Sequence, residues 1–111
     1  MKLPRRDHAF IPERKLTSYL LSLSHPVGRG KARFFRRLGF DLSNTDILRD
    51  GLLTLARQSN VVRAEQTDYG TKYMVDGLLS TPRGDEVPVR TVWIIEESDR
   101  DVPRFVTAYP A

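Results

Sequence analysis

The chain has 111 residues, 40% of them hydrophobic, and carries a formal net charge of +4 at pH 7. That length suits one domain with one core, expected over residues 1–111, and the composition excludes a disordered chain. The lack of cysteine excludes disulfides and thiolate metal sites, His8 and His25 match no zinc spacing, and no apolar run approaches the ~20 residues of a membrane span.

The start, Met1-Lys-Leu-Pro-Arg-Arg-Asp7, lacks the apolar stretch of a signal peptide, so a cytoplasmic location with no membrane contact is expected. Charge is unevenly distributed. Residues 1–40 hold ten Lys and Arg against Asp7 and Glu13, about +8, which leaves about −4 for the remainder. A basic half joined to an acidic one suggests a polyanion partner, with phosphate contacts supplying affinity; the alternative is an ordinary solvated helix surface.

Helices are expected over about residues 13–58. Pro12 suits the start of a first helix, Glu13 to Ser22, with Leu16, Tyr19, Leu20 and Leu23 at helical spacing. The Ser24-His25-Pro26 break ends it, because the residue before a proline avoids helical geometry. A second helix begins near Arg29 and stops at Gly39. Its apolar stripe is Phe34, Phe35 and Leu38, opposite Arg29, Arg33, Arg36 and Arg37. Lys31 completes the i, i+3, i+4, i+7 set of the apolar side, so an amine opens the core-facing stripe and meets the positive end of the helix dipole. Such a position needs compensation. Ser43 or Asn44 can cap a third helix in a box with Asp46, its stripe being Leu48, Leu52, Leu55 and Ala56 and its end near Gln58.

Strands follow over about residues 61–109. Val61–Gln66 is the first, Asp68-Tyr-Gly-Thr71 a turn, and Lys72–Ser80 the second, with Tyr73, Val75 and Gly77 alternating against Met74, Asp76 and Leu78. Pro82-Arg-Gly-Asp85 is a turn. Val87–Glu96 puts Val87, Val89, Thr91, Trp93 and Ile95 on one face and Arg90, Val92 and Ile94 on the other, as a central strand does. A polar loop, residues 97–101, leads to a last strand, Arg104–Tyr109, with Thr107 and Tyr109 on the face of Phe105. Short connections make an antiparallel meander, and the fold class is α+β, three N-terminal helices packed on four strands.

No Walker or dinucleotide glycine pattern, metal-spaced carboxylate pair or nucleophile elbow is present. What remains is a convergent set of cationic and hydroxyl side chains: His25 and Lys31 from the helices, and Lys72, Tyr73, Arg90, Thr107 and Tyr109 from the sheet. Such a set suits RNA cleavage without metal or cofactor, in which a 2′-hydroxyl attacks the adjacent phosphate. In that scheme Lys31 and Arg90 hold the phosphate and His25 shuttles the proton. Thr107 and Tyr109 orient the substrate, Arg29, Arg33, Lys72 and Tyr73 contact RNA, and the amides of residues 27–30 receive a phosphate at the helix start.

Each residue also has a plainer role. His25 can order its turn; Lys31 can pair with a carboxylate of the sheet; Lys72 can be a solvated strand flank. Arg90 pairs with a carboxylate such as Asp76 or Glu65, or serves a phosphate, since an unpaired arginine mid-strand is costly. Thr107 and Tyr109 can be packing residues, Trp93 belongs to the core, and Arg29, Arg33, Arg36 and Arg37 form a solvated face with RNA steering as a second role.

The blocks Ile11-Pro-Glu-Arg-Lys-Leu-Thr-Ser-Tyr-Leu-Leu21, His25-Pro-Val-Gly-Arg-Gly-Lys-Ala-Arg-Phe-Phe35, Tyr69-Gly-Thr-Lys-Tyr73, Val89-Arg-Thr-Val-Trp-Ile-Ile95 and Val106-Thr-Ala-Tyr-Pro110 resemble a small bacterial domain family of unknown function, over nearly the whole chain. More distantly, the order of helices then meander resembles the barnase, EndoU, colicin-tRNase and RelE-like toxin nucleases, a likeness of layout. The resemblance implies a toxin-like ribonuclease with RNA as substrate and a cognate inhibitor protein as partner. The alternative is a non-catalytic RNA-binding or immunity-type module that binds a partner.

Overall fold

The two faces of one strand set the architecture, because apolar residues on both sides of Glu86–Ile95 need cover of different kinds. In the computed structural model, which describes residues 1–97 and 101–111, three helices precede a four-stranded antiparallel sheet. Its order is β1 (Val61–Thr67), β2 (Gly70–Ser80), β3 (Glu86–Ile95) and β4 (Arg104–Pro110). This is the α+β meander expected, with the β1–β2 turn shortened to Asp68 and Tyr69. The polar loop expected over residues 97–101 lies largely outside the described residues.

α1 (Glu13–Lys15) runs directly into a π-helical turn, Leu16–Leu20, closed by the Leu21 N–H donating to the Leu16 carbonyl. The helix thus stops short of Ser22. The widened turn changes which residues face inward: Leu16, Leu20 and Leu21 are buried, whereas Leu23, placed on the stripe by strict α periodicity, is 53% exposed. α2 (Arg29–Arg37) buries Ala32 and Phe35, half-buries Phe34 and Leu38, and stops before Gly39, whose φ is 104°. Arg36 departs from the solvated arginine face. Its Nε and Nη2 both donate to the Leu21 carbonyl, at 3.0 and 2.6 Å, and so satisfy the end of the preceding turn. α3 (Thr45–Gln58) buries Leu48, Leu52, Leu55 and Ala56, as its periodicity predicts. The expected capping box does not form. Asn44 Oδ1 accepts instead from the Asp41 amide, and Asp41 Oδ1 from the Ser43 amide, so both side chains close the turn before the helix.

Val75, Leu79, Val89, Trp93, Phe105 and Ala108 join the helical leucines in the core. Trp93 is fully buried, with the Phe105 ring edge-on at 5.3 Å. A short relay satisfies its indole: Nε1–H donates to Thr91 Oγ1 at 2.8 Å, and that hydroxyl donates to the Val75 carbonyl at 2.8 Å. Arg90, Val92 and Ile94 occupy the opposite face, as alternation requires.

The last strand departs from the simple pattern. Val92 pairs with Thr107 but Trp93 with Phe105, so β4 carries one extra residue, Val106, at a bulge. Phe105 therefore turns into the core while Thr107 and Tyr109 stay on the other face, beside Val92 and Arg90. The expected shared face of Phe105, Thr107 and Tyr109 is overturned by that inserted residue.

Residues 1–11 form a strap that no periodicity announced. The Val61 amide donates to the Met1 carbonyl at 2.7 Å; the Phe10 amide donates to the Pro103 carbonyl at 3.1 Å and the Phe105 amide to the Phe10 carbonyl at 3.0 Å, a bridge centred on Arg104. Leu3, Ala9 and Ile11 are buried beneath it. The outer strands β1 and β4 are thus tied by one segment.

The Thr91 relay yields a direct test. Thr91→Val preserves shape but removes the acceptor of a buried indole N–H, and the fold should lose about 1–3 kcal/mol. Urea denaturation of the two proteins measures the difference; equal midpoints and slopes would show the relay to be dispensable.

Candidate active site

Lys31 sits in the first turn of α2, half-buried, where its charge opposes the helix dipole. Its compensation is a phenol. Nζ donates to the Tyr19 hydroxyl at 2.8 Å and lies 5.4 Å from the Tyr19 ring centroid and 5.9 Å from that of Tyr109. Among the described residues no carboxylate lies within ion-pairing distance of this amine.

The Tyr19 oxygen also lies 2.9 Å from Thr107 Oγ1, a contact made past the outer edge of β4. Burial alone would raise the phenol pKa. The hydrogen bonds from Lys31 and Thr107, and the charges of Lys31 and Lys15, outweigh that effect and hold Tyr19 below the ordinary tyrosine range. Lys15 stands 5.0 Å from the same ring, and burial, with Arg104, Arg14 and Lys31 nearby, lowers its pKa although Tyr19 opposes the shift.

His25 packs edge-on against Tyr19, with centroids 5.2 Å apart. Its Nδ1 accepts from the amides of Val27 and Gly28 at 3.0 and 2.9 Å, and the Arg29 amide donates to the His25 carbonyl at 3.0 Å. The amides expected to receive a phosphate at residues 27–29 are therefore engaged within the turn. With Nδ1 as acceptor, the neutral ring carries its proton on Nε2. Gly28 has no room for a side chain, since a Cβ there would meet the Tyr19 carbonyl at 2.6 Å and its ring at 2.9 Å. The start of α2 is thus pressed directly on Tyr19.

Arg90 adjoins this group through its cross-strand neighbour Tyr109. It forms a bidentate pair with Asp76, Nε to Oδ1 at 2.8 Å and Nη2 to Oδ2 at 2.9 Å, and that pairing raises its already high pKa further. Glu65, the other carboxylate considered, faces Lys72 across β1 and β2 instead.

The structure brings His25, Lys31, Thr107 and Tyr109 around Tyr19, with Arg90 next to Tyr109. It does not gather the remaining candidates. Arg29 and Arg33 are exposed on α2, and Lys72 lies on the helix-free face of β2 opposite Ile94. Tyr73 points to the other face and lines a separate cleft with Pro4, Arg5, Thr71 and Ile95. Tyr19 itself was hidden in the sequence as one member of an apolar stripe. The available signal was its hydroxyl, which must find a partner when half-buried, and Lys15 one helical turn before it.

The family model described as Domain of unknown function (DUF6883) matches residues 2–111. A search of curated proteins gives no match. Among solved structures, the fold is similar to a chain of a contact-dependent growth inhibition toxin–immunity protein complex from Klebsiella pneumoniae 342. The TM-score is 0.71 at 18% identity, covering 96% of this chain and 96% of that one, so the likeness is one of fold. With a match over nearly its whole length, the chain belongs to the DUF6883 family, the small family of unknown function that its sequence blocks resemble.

Proposed function

We propose that the chain is a toxin-related domain that cleaves RNA by 2′-hydroxyl attack on the adjacent phosphate, its activity held in check by a cognate inhibitor protein. The observation that carries this reading is the chain Lys31–Tyr19–Thr107, an ammonium donating to a phenol whose pKa is lowered, at the rim of a cationic cleft. The fold shared with a chain of a toxin–immunity complex supports a toxin-related role in general.

In this mechanism Tyr19, as phenolate, takes the proton of the 2′-hydroxyl, and that oxygen bonds to phosphorus. Lys31 stabilises the negative charge gathering on the phosphate, with the Nη1 edge of Arg90 beside it. The bond from phosphorus to the 5′-oxygen breaks, and the Tyr109 hydroxyl donates a proton to the leaving group. Solvent then removes the proton from Tyr19 and returns one to Tyr109. Thr107 orients the Tyr19 oxygen. His25, with Nδ1 engaged, contributes Nε2–H as a donor to the phosphate rather than as a proton-accepting base.

The second reading, an immunity-type or RNA-binding module without chemistry, draws on the same fold likeness, since the complex contains both kinds of protein. It assigns no task to a loosened phenol proton.

Incubation of the protein with total RNA in EDTA separates the two. Lys31→Ala should slow cutting by about 10²–10³-fold and Tyr19→Phe by about 10²–10⁴-fold, with thermal melts near that of the parent. Retention of RNA without any cutting by the parent would favour the binding module. The pH dependence has a defined sign. Because Tyr19 ionises below its ordinary value, the phenolate fraction and the rate climb with pH up to the lowered pKa and level off above it. Ultraviolet phenolate absorbance should accordingly begin to rise at lower pH in the parent than in Tyr19→Phe; superimposable titrations would remove Tyr19 from the proton-transfer step.

A further inference from the structure

A cleft of about 240 Å³ lies beside the proposed catalytic group, lined by Arg14, Lys15, Ser18, Tyr19 and His25. Its chemistry is one-sided. A guanidinium, an ammonium and the Ser18 hydroxyl, all donors, line its outer wall, and Tyr19 and His25 form the border it shares with the proposed catalytic group. No carboxylate lines it, and the neighbouring Glu13 is turned away into an ion pair with Arg49. Among the described residues neither Arg14, Lys15 nor Lys31 has an acidic partner.

Concentrating cations without a counter-charge is unfavourable, and here two ammonium groups flank a single phenol ring, at 5.0 and 5.4 Å from its centroid. The arrangement is also fixed rather than fortuitous. Lys15 is half-buried at the end of α1, the π turn sets where Tyr19 and Ser18 emerge, and the amides of Val27 and Gly28 hold the imidazole in one orientation. A preformed concavity with unpaired cations and no carboxylate is complementary to a tetrahedral dianion or a diester phosphate.

We propose that this cleft is a phosphate-binding subsite, distinct from the Lys31–Tyr19 position, which takes a neighbouring backbone phosphate of a single RNA strand. Its place in a substrate rests on the ribonuclease reading; its affinity for phosphate does not. A substrate gripped at two phosphates is a strand of several nucleotides, so mononucleotides and dinucleotides with one phosphate are poor ligands.

Amide chemical-shift titration of the intact protein tests this with three probes at matched ionic strength: inorganic phosphate, a 2′-O-methyl tetranucleotide that cannot be cleaved, and sodium chloride. Phosphate should shift the amides of residues 14–19 and 25–28 saturably, chloride should not, and the tetranucleotide should bind more tightly than phosphate. Equal affinity for phosphate and the tetranucleotide would assign the subsite to free phosphate instead of a strand, and would overturn the proposed ligand. Lys15→Gln and Arg14→Gln should each weaken tetranucleotide binding about tenfold, the loss of one charge-assisted contact. Shifts confined to the exposed arginines of α2, or affinity unchanged in both folded variants, would overturn the subsite. Tight binding of the methylated strand, with unmodified RNA left uncut, would uphold the subsite while removing the nuclease.

Discussion

One inserted residue in β4 organises the functional side of the molecule. Without the bulge at Val106, strict alternation would send Phe105, Thr107 and Tyr109 to the same face, either all into the core or all out of it. The bulge separates them: Phe105 fills the space against Trp93, and two residues later the hydroxyls of Thr107 and Tyr109 emerge beside Arg90. A strand at the edge of the sheet thereby contributes to packing with one half and to the candidate site with the other. Bulges at sheet edges commonly re-aim side chains in this way.

The helical layer meets that half-strand with an irregularity of its own. The π turn after α1 buries Leu20 and Leu21 and leaves Tyr19 at the border of the core, where its ring packs and its oxygen reaches Thr107. Lys31 then has as its partner a phenol, which unlike a carboxylate can exchange between neutral and charged forms. A carboxylate there would neutralise the amine and form a closed ion pair; a phenol leaves net positive charge available to an anion. The proposed role of Lys31 on phosphate rests on that choice of partner.

Much of the layout was legible because it depends on periodicity. The stripe of α3, the alternation of β3 and the stop at Gly39 each follow from spacing and local backbone preference, and each is observed. Lys31 was legible too, as an amine out of place on an apolar face. What escaped were features where spacing is locally broken. The π turn changed the inward-facing set, burying Leu21 and leaving Leu23 exposed, and the bulge at Val106 put Phe105 on the face opposite Thr107. Tyr19 was concealed because a residue serving both core and site looks, in a helical wheel, like core alone. Neighbours such as Lys72 and Tyr73 could not share a site at all, since adjacent residues of a strand face opposite ways.

The N-terminal strap has a bearing on the order in which this structure assembles. The hairpins of the meander join residues close in sequence, and their closure carries a small entropic cost. The strap must instead bring residue 1 to residue 61 and residue 10 to residue 104. Such distant closures become favourable only once the sheet exists to receive them. The strap is therefore among the last segments to lock, and until it does, β1 and β4 both present unsecured ends. Commitment to the native state is delayed until the two extremes of the chain have found each other.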